Sequence, residues 1–170
     1  MTRSITERQL ALFAALAVSV HLLEAGIPSP LPGVKPGLAN VVTLIVLLRY
    51  GIRAAAWVTA LRVVGGAVLL GTLLGPTFML SAAGAAAALG ALALAHRLGH
   101  RVLGPVGYAV PAALAHVGAQ LVAAYVLFVP HAGLWRLAPL LLAFATAGGV
   151  ATGIIAAAIV DRLAVRADAR

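Results

Sequence analysis

The chain has 170 residues, of which 63% are hydrophobic and only 9% charged, with a mean hydropathy of +1.09. Soluble domains are about 45–50% apolar and about 25% charged, so the composition excludes disorder, a secreted disulfide scaffold and an ordinary water-soluble globule, and fits a polytopic membrane protein. A spanning helix takes about 20 residues. Six would leave only short loops and tails, and no room for a soluble catalytic, ATPase or nucleic-acid-binding domain. The net charge of +8 is therefore read as topology signals and not as a nucleic-acid footprint. There is no cysteine, which excludes disulfides, thiolate metal sites and Cys nucleophiles.

Ser4-Ile5-Thr6-Glu7 has capping-box spacing ahead of an apolar run. The first helix then runs through Ala11–Leu23 to about Gly26 and is read as a retained signal-anchor, since residues 15–30 show no convincing small-residue cleavage site. The Pro-rich loop over 26–37 cannot be helical or strand-paired. The second apolar run, Leu38–Leu48, reaches only about 20 Å at the helical rise, short of the roughly 30 Å hydrocarbon core. The loop before it is expected to dip toward the membrane, where irregular backbone is tolerated only in protein or along a wet cavity. Further helices are expected over about Ala54–Leu74, Pro76–Ala95, Val106–Val129 and Leu134–Val160, with Pro111 kinking the fifth. The whole chain, 1–170, reads as one all-α transmembrane domain of about six helices, with short tails at 1–8 and 162–170.

Six spans place Arg3, Arg8, Arg49, Arg53, Arg97, Arg101, Arg162, Arg166 and Arg170 on one side, and Lys35 and Arg136 on the other. By the positive-inside rule both termini are cytoplasmic, in the inner (cytoplasmic) membrane, and the Pro-rich loop faces outward. Five spans would scatter the arginines.

Ionisable groups inside a membrane are costly and mark function by default. Glu24 ends helix 1, Lys35 and Asn40 flank the start of helix 2, and Arg62 lies midway along helix 3. His116 and Gln120 share one face of helix 5. Together they form a candidate outward-opening polar pocket. Each also has a structural reading: an interfacial Glu24–Lys35 pair, a snorkelling Arg62, a His116–Gln120 contact that only holds the bundle. His21 is read as a structural partner. Small-xxx-small spacings at Ala11/Ala15, Gly84/Ala88 and Gly149/Gly153 permit close helix approach. Four acids in all, Glu7, Glu24, Asp161 and Asp168, provide no aspartate-rich pair for Mg²⁺-diphosphate chemistry. There is no Walker loop, GxSxG elbow or HExxH. No catalytic residue, metal or cofactor is assigned, and the chain is not read as an enzyme.

The stretch LLEAGIPSPLPGVKPGLANVVTLIVLLRYG, residues 22–51, resembles the membrane family called heptaprenyl diphosphate synthase component I, also named the Gx transporter family. Glu24, Ile27-Pro28, Pro30, Pro32-Gly33, Lys35 and Gly37-Leu38-Ala39-Asn40 carry the resemblance. Arg62, Gly71, Ser81, Gly84 and AHVGAQL at 115–121 extend it over roughly residues 9–160. Pro36 and Val117 depart from the family's usual apolar residue and Asn. The family is similar in size and topology to the substrate-binding S components of energy-coupling-factor (ECF) transporters. This resemblance implies an S-component-like bundle that captures a small solute from outside, anionic or related to a vitamin, isoprenoid or quinone. Pro28, Pro30, Pro32, Gly33 and Gly37 would form its gating loop, and Ala11 and Ala15 its surface for a coupling subunit and ATPases. The family name implies an alternative, a noncatalytic accessory subunit in prenyl diphosphate synthesis. Some members also resemble membrane components of flavin-linked extracellular electron transfer.

Overall fold

A computed structural model describes residues 5–26, 37–99 and 103–168. Pro28, Pro30, Pro32, Gly33 and Lys35, with Ser4, Arg3, Arg101 and Arg170, lie outside them. The described residues form six α-helices: α1 (Glu7–Gly26), α2 (Leu38–Tyr50), α3 (Ile52–Leu69), α4 (Pro76–Gly99), α5 (Pro105–Leu127) and α6 (Ala138–Asp168), with a 3₁₀ segment, Ala132–Leu137, before the last. All but α2 are long and apolar enough to cross a membrane, so this is a multi-pass membrane protein.

Local chemistry explains where these helices begin and end. The capping box at the start of α1 is built two residues later than expected. The Thr6 N–H donates to Gln9 Oε1 at 3.1 Å, and the Gln9 N–H to Thr6 Oγ1 at 3.3 Å. Helix α2 is short, as its apolar run foretold, and only Gly51 separates it from α3. With φ 87°, Gly51 holds a conformation in which a Cβ would be strained. Helix α3 stops at Leu69, well before Leu74, because Gly71 (φ 65°) closes a Schellman motif. The Thr72 N–H bonds the Ala67 carbonyl at 2.8 Å and the Gly71 N–H that of Val68 at 3.2 Å. Helix α6 starts at Ala138 and not Leu134, with Pro139 in its first turn, a position that suits proline. His131 Nδ1 accepts the Gly133 N–H at 3.0 Å and caps the 3₁₀ segment before it. Helix α6 also continues to Asp168, so most of the expected C-terminal tail is helical. Helix α5 runs uninterrupted through Pro111.

The helices close a ring in the order α1, α3, α4, α5, α6, α2, with α2 also touching α3 and α5. Bare glycines set the closest approaches. A methyl at Gly153 would lie 2.5 Å from Val106 Cα, and one at Gly149 2.9 Å from Val110 Cα, so the Gly149/Gly153 spacing is what lets α6 lie on the α5 backbone. On the other side of the ring, Val18 and His21 of α1 pack over Gly65 and Gly66 of α3.

The interior divides along the bundle axis. One half is solid: Ile45, Val46 and Leu47 of α2, Ala54, Ala55 and Val58 of α3, Tyr108 of α5 and Ala156 of α6 are all buried and none of them lines the cavity. This packed half lies at the end that carries Arg8, Arg49, Arg53, Arg97 and Arg162. Phe13 and Tyr50 meet there with ring centroids 5.7 Å apart. The other half, toward the ends of α1 and α5 and the starts of α2, α4 and α6, encloses a cavity.

Candidate functional site

The cavity has a volume of about 900 Å³ and takes lining residues from all six helices and from the 3₁₀ segment. Five of the six candidate binding residues line it: Glu24, Asn40, Arg62, His116 and Gln120. Lys35 lies outside the described residues. Gly37 lines the cavity at the start of α2, at the far end of the Pro-rich segment. Ala11 and Ala15 are elsewhere, exposed on the outer face of α1.

Two charges are buried in this wall. Glu24 is 4% exposed and Arg62 7%, and they interact electrostatically across the α1–α3 contact. An isolated buried charge would be far more costly, so each is retained partly because the other is present. Yet Arg62 is not saturated, since its Nε is buried without a hydrogen-bond partner. His116 lies within the electrostatic reach of Arg62 and contacts the backbone of Gly84. Its Nδ1 is likewise buried without a partner. Native interiors satisfy nearly all such atoms; among the described residues these two are the buried side-chain polar atoms that the protein itself leaves without a hydrogen bond.

The positions of these side chains follow from the helices beneath them. His116 sits on α4 because residue 84 is a glycine; a methyl there would stand 2.8 Å from the ring. His21, expected only to pack, does pack on Gly66, but it also lines the cavity. Thr43 Oγ1 and Thr59 Oγ1 are hydrogen-bonded at 3.2 Å across α2 and α3, tying together the helices that carry Asn40 and Arg62. Thr43, Thr59, Ser81 and Thr152 also line the cavity. Sequence reasoning missed them as wall residues because single hydroxyls in an Ala-rich helix carry little signal; their signal was the one-turn spacing of Thr59 before Arg62. The rest of the wall is apolar, with Leu89, Leu92, Leu121, Leu141 and Phe144 among its residues. Among the described residues, no group of three or more His, Cys, Asp or Glu side chains is placed to hold a metal ion.

No curated protein and no solved structure matches the chain. A family model does, over residues 13–159, which contains α2 to α5 whole, most of α1 and α6, and every described residue of the polar cluster. On that match the chain belongs to the heptaprenyl diphosphate synthase component I family.

Proposed function

We propose that this protein is a membrane-embedded solute-binding component, S-component-like, which captures a small molecule in its cavity and depends on partner subunits for the energy of transport. The observation that carries the reading is the buried, incompletely bonded Arg62 at the wall of a cavity of about 900 Å³. A bundle that only needed to pack would not leave that space beside a charge. The packed core beneath the cavity supports one-sided access. Solute would enter from the end opposite the arginines, which the positive-inside rule makes the outer face of the cytoplasmic membrane, with both termini cytoplasmic. In this reading the Pro-rich segment, with Pro28, Pro30, Pro32, Gly33 and Gly37, closes over the solute, and Lys35 joins the site. Ala11 and Ala15, bare on α1, form the face for a coupling subunit that works with ATPases.

The test is purification from native membranes, with small molecules and copurifying proteins identified together by mass spectrometry. A small molecule held by the wild type and lost from a folded Arg62→Met, Glu24→Gln double variant, with an ATPase pair in the same fraction, is the expected result. An empty cavity and unchanged uptake in that variant would sink the proposal.

The family's name favours a second reading. A "component I" implies another component of a synthase, and with four acids in the whole chain this one would be a noncatalytic membrane partner. Copurification of a soluble prenyl synthase, with no retained solute, selects that reading. A flavin-linked redox partner in its place would select the electron-transfer role that some family members resemble.

A further inference from the structure

The cavity is long and narrow along the bundle axis. On α4 it is lined from Thr77 to Leu92, and on α5 from Ala124 back to Ala109, about 22 Å on each helix at the rise of about 1.5 Å per residue. A rounded pocket of the same volume would be only about 12 Å across. Spread over the observed length, the volume averages a passage about 7 Å wide, room for one or two hydrocarbon strands at carbon contact distances of about 4 Å. One end is closed: Leu92, Ala109 and Ala112 are buried there, whereas Leu137 and Phe144 at the other end are exposed. The closed end is apolar, with Ala88 and Leu92 of α4, Ala109 and Ala112 of α5 and Leu44 of α2 in its wall. Of the hydroxyls that reach it, those of Thr43 and Thr59 bond each other, and Thr152 adds one more. Among the described residues, the buried side-chain atoms left without a bond are Arg62 Nε and His116 Nδ1, and His116 stands about 10 Å nearer the open end than Ala109 along α5. A polar group pushed past it into the closed arm would lose its water and find no unmet partner, while hydrocarbon would lose nothing.

We propose that the cavity takes an elongated molecule with a hydrocarbon tail, that the tail lies in the closed arm between α4 and α5 inward of His116, and that Ala88, Ala109 and Ala112 set the tail length accepted. This rests on the reading of the cavity as a binding site and names the body of the solute that such a site would hold. It is independent of the head group's charge, to which His21, Glu24, Arg62 and Lys35 can all contribute. The three alanines act through their small size: the arm is open because facing turns of α4 and α5 carry methyl groups there, and a leucine at any one of them would fill it.

The experiment uses the full-length protein in lipid nanodiscs and two saturated primary alcohols, of four and ten carbons, each with a photoreactive diazirine at the far end of its chain. Crosslinked residues are mapped by mass spectrometry, beside whatever molecule the purified protein retains. In wild type the ten-carbon probe is expected to label α4 and α5 around Leu92 and Ala109, and the four-carbon probe to label positions nearer His116. Ala109→Leu is expected to cut the ten-carbon label in the arm at least tenfold while the four-carbon label persists, which also shows that the variant is folded. Ala88→Leu, on the facing helix, should do the same. Equal loss of both probes in the two variants overturns the length-setting role. Labels from both probes confined to the open end, at Leu137 or Phe144, or a retained molecule without a hydrocarbon tail, overturn the inference and leave the proposed solute-binding role standing. No label inside the cavity together with no retained molecule overturns both. No label with a tailed molecule retained by wild type and lost from Ala109→Leu supports the tail assignment; its retention by Ala109→Leu overturns it.

Discussion

The imidazole of His116 lies against the bare backbone of Gly84, where a methyl group would stand 2.8 Å from Cε1 and Nε2 and 2.9 Å from Nδ1. A histidine on α5 thus owes its position to the absence of a side chain on α4. Gly84→Ala is expected to push the ring off α4 and into the cavity, at a cost of about 1–3 kcal/mol from overpacking. Solute binding should weaken far more than thermal stability. Both can be read on one sample, as an unfolding curve with and without the retained solute. Equal affinity in wild type and Gly84→Ala would show that the ring's position does not matter.

Thr43 and Thr59 offer a cleaner energetic test. Their hydroxyls are buried, 3.2 Å apart, and join α2 to α3. Thr43→Val leaves the Thr59 hydroxyl without this partner and is expected to cost about 1–3 kcal/mol. The double Thr43→Val, Thr59→Val variant removes both polar groups at nearly the same volume and should recover most of that loss. A double-mutant cycle on detergent-solubilised protein measures the coupling; additive losses would argue that the two hydroxyls do not support each other.

Arg62 and Glu24 should be coupled in the same sense but more strongly. Removing one partner strands the other charge in the bundle, a loss of about 3–5 kcal/mol when the pair is fully desolvated. Arg62→Met alone is therefore expected to express poorly or melt early. Adding Glu24→Gln should restore expression without restoring solute binding. If the double variant is no better folded than the single, the two groups are not each other's main charge partners.

The α5–α6 contact should be the least forgiving to substitution. A Cβ at Gly153 would fall 2.5 Å from Val106 Cα and 2.9 Å from its backbone nitrogen, and backbone cannot swing aside as a side chain can. Gly153→Ala is expected to destabilise by at least about 1–3 kcal/mol, whereas a methyl at Gly90 or Gly118 would meet nothing within 4 Å and should leave the melting temperature close to wild type. Thermal unfolding of the three variants side by side checks the order.

Orientation is open to chemical labelling, because the chain contains no native cysteine. His131→Cys, on the exposed connection between α5 and α6, is expected to react with a membrane-impermeant maleimide added to intact cells. Arg53→Cys and Arg97→Cys, at the opposite end, should react only after permeabilisation. The reverse pattern would invert the bundle and place the cavity on the cytoplasmic side.

Composition alone decided that this chain is a membrane helical bundle, since no soluble fold tolerates so few charges among so many apolar side chains. Helix number and the short span of α2 were also legible, because apolar run length and Pro or Gly interruptions are local properties. So was the list Glu24, Asn40, Arg62, His116 and Gln120, because an ionisable or amide side chain in an apolar helix stands out one residue at a time. Helix ends were legible less completely. The Schellman turn at Gly71 and the Thr6–Gln9 box each had a signal in the chain, but competing spacings nearby hid them. What only the folded bundle decided was adjacency. That His116 rests on Gly84, that His21 reaches the cavity over Gly66, that Arg62 and Glu24 line one cavity, and that a solid core fills one half of the bundle while a cavity fills the other, all depend on which helices lie side by side. In an Ala- and Gly-rich chain nearly every face can pack closely, so neither periodicity nor spacing selects the neighbours; the choice is made by summed van der Waals packing of whole helices, a property no single segment contains.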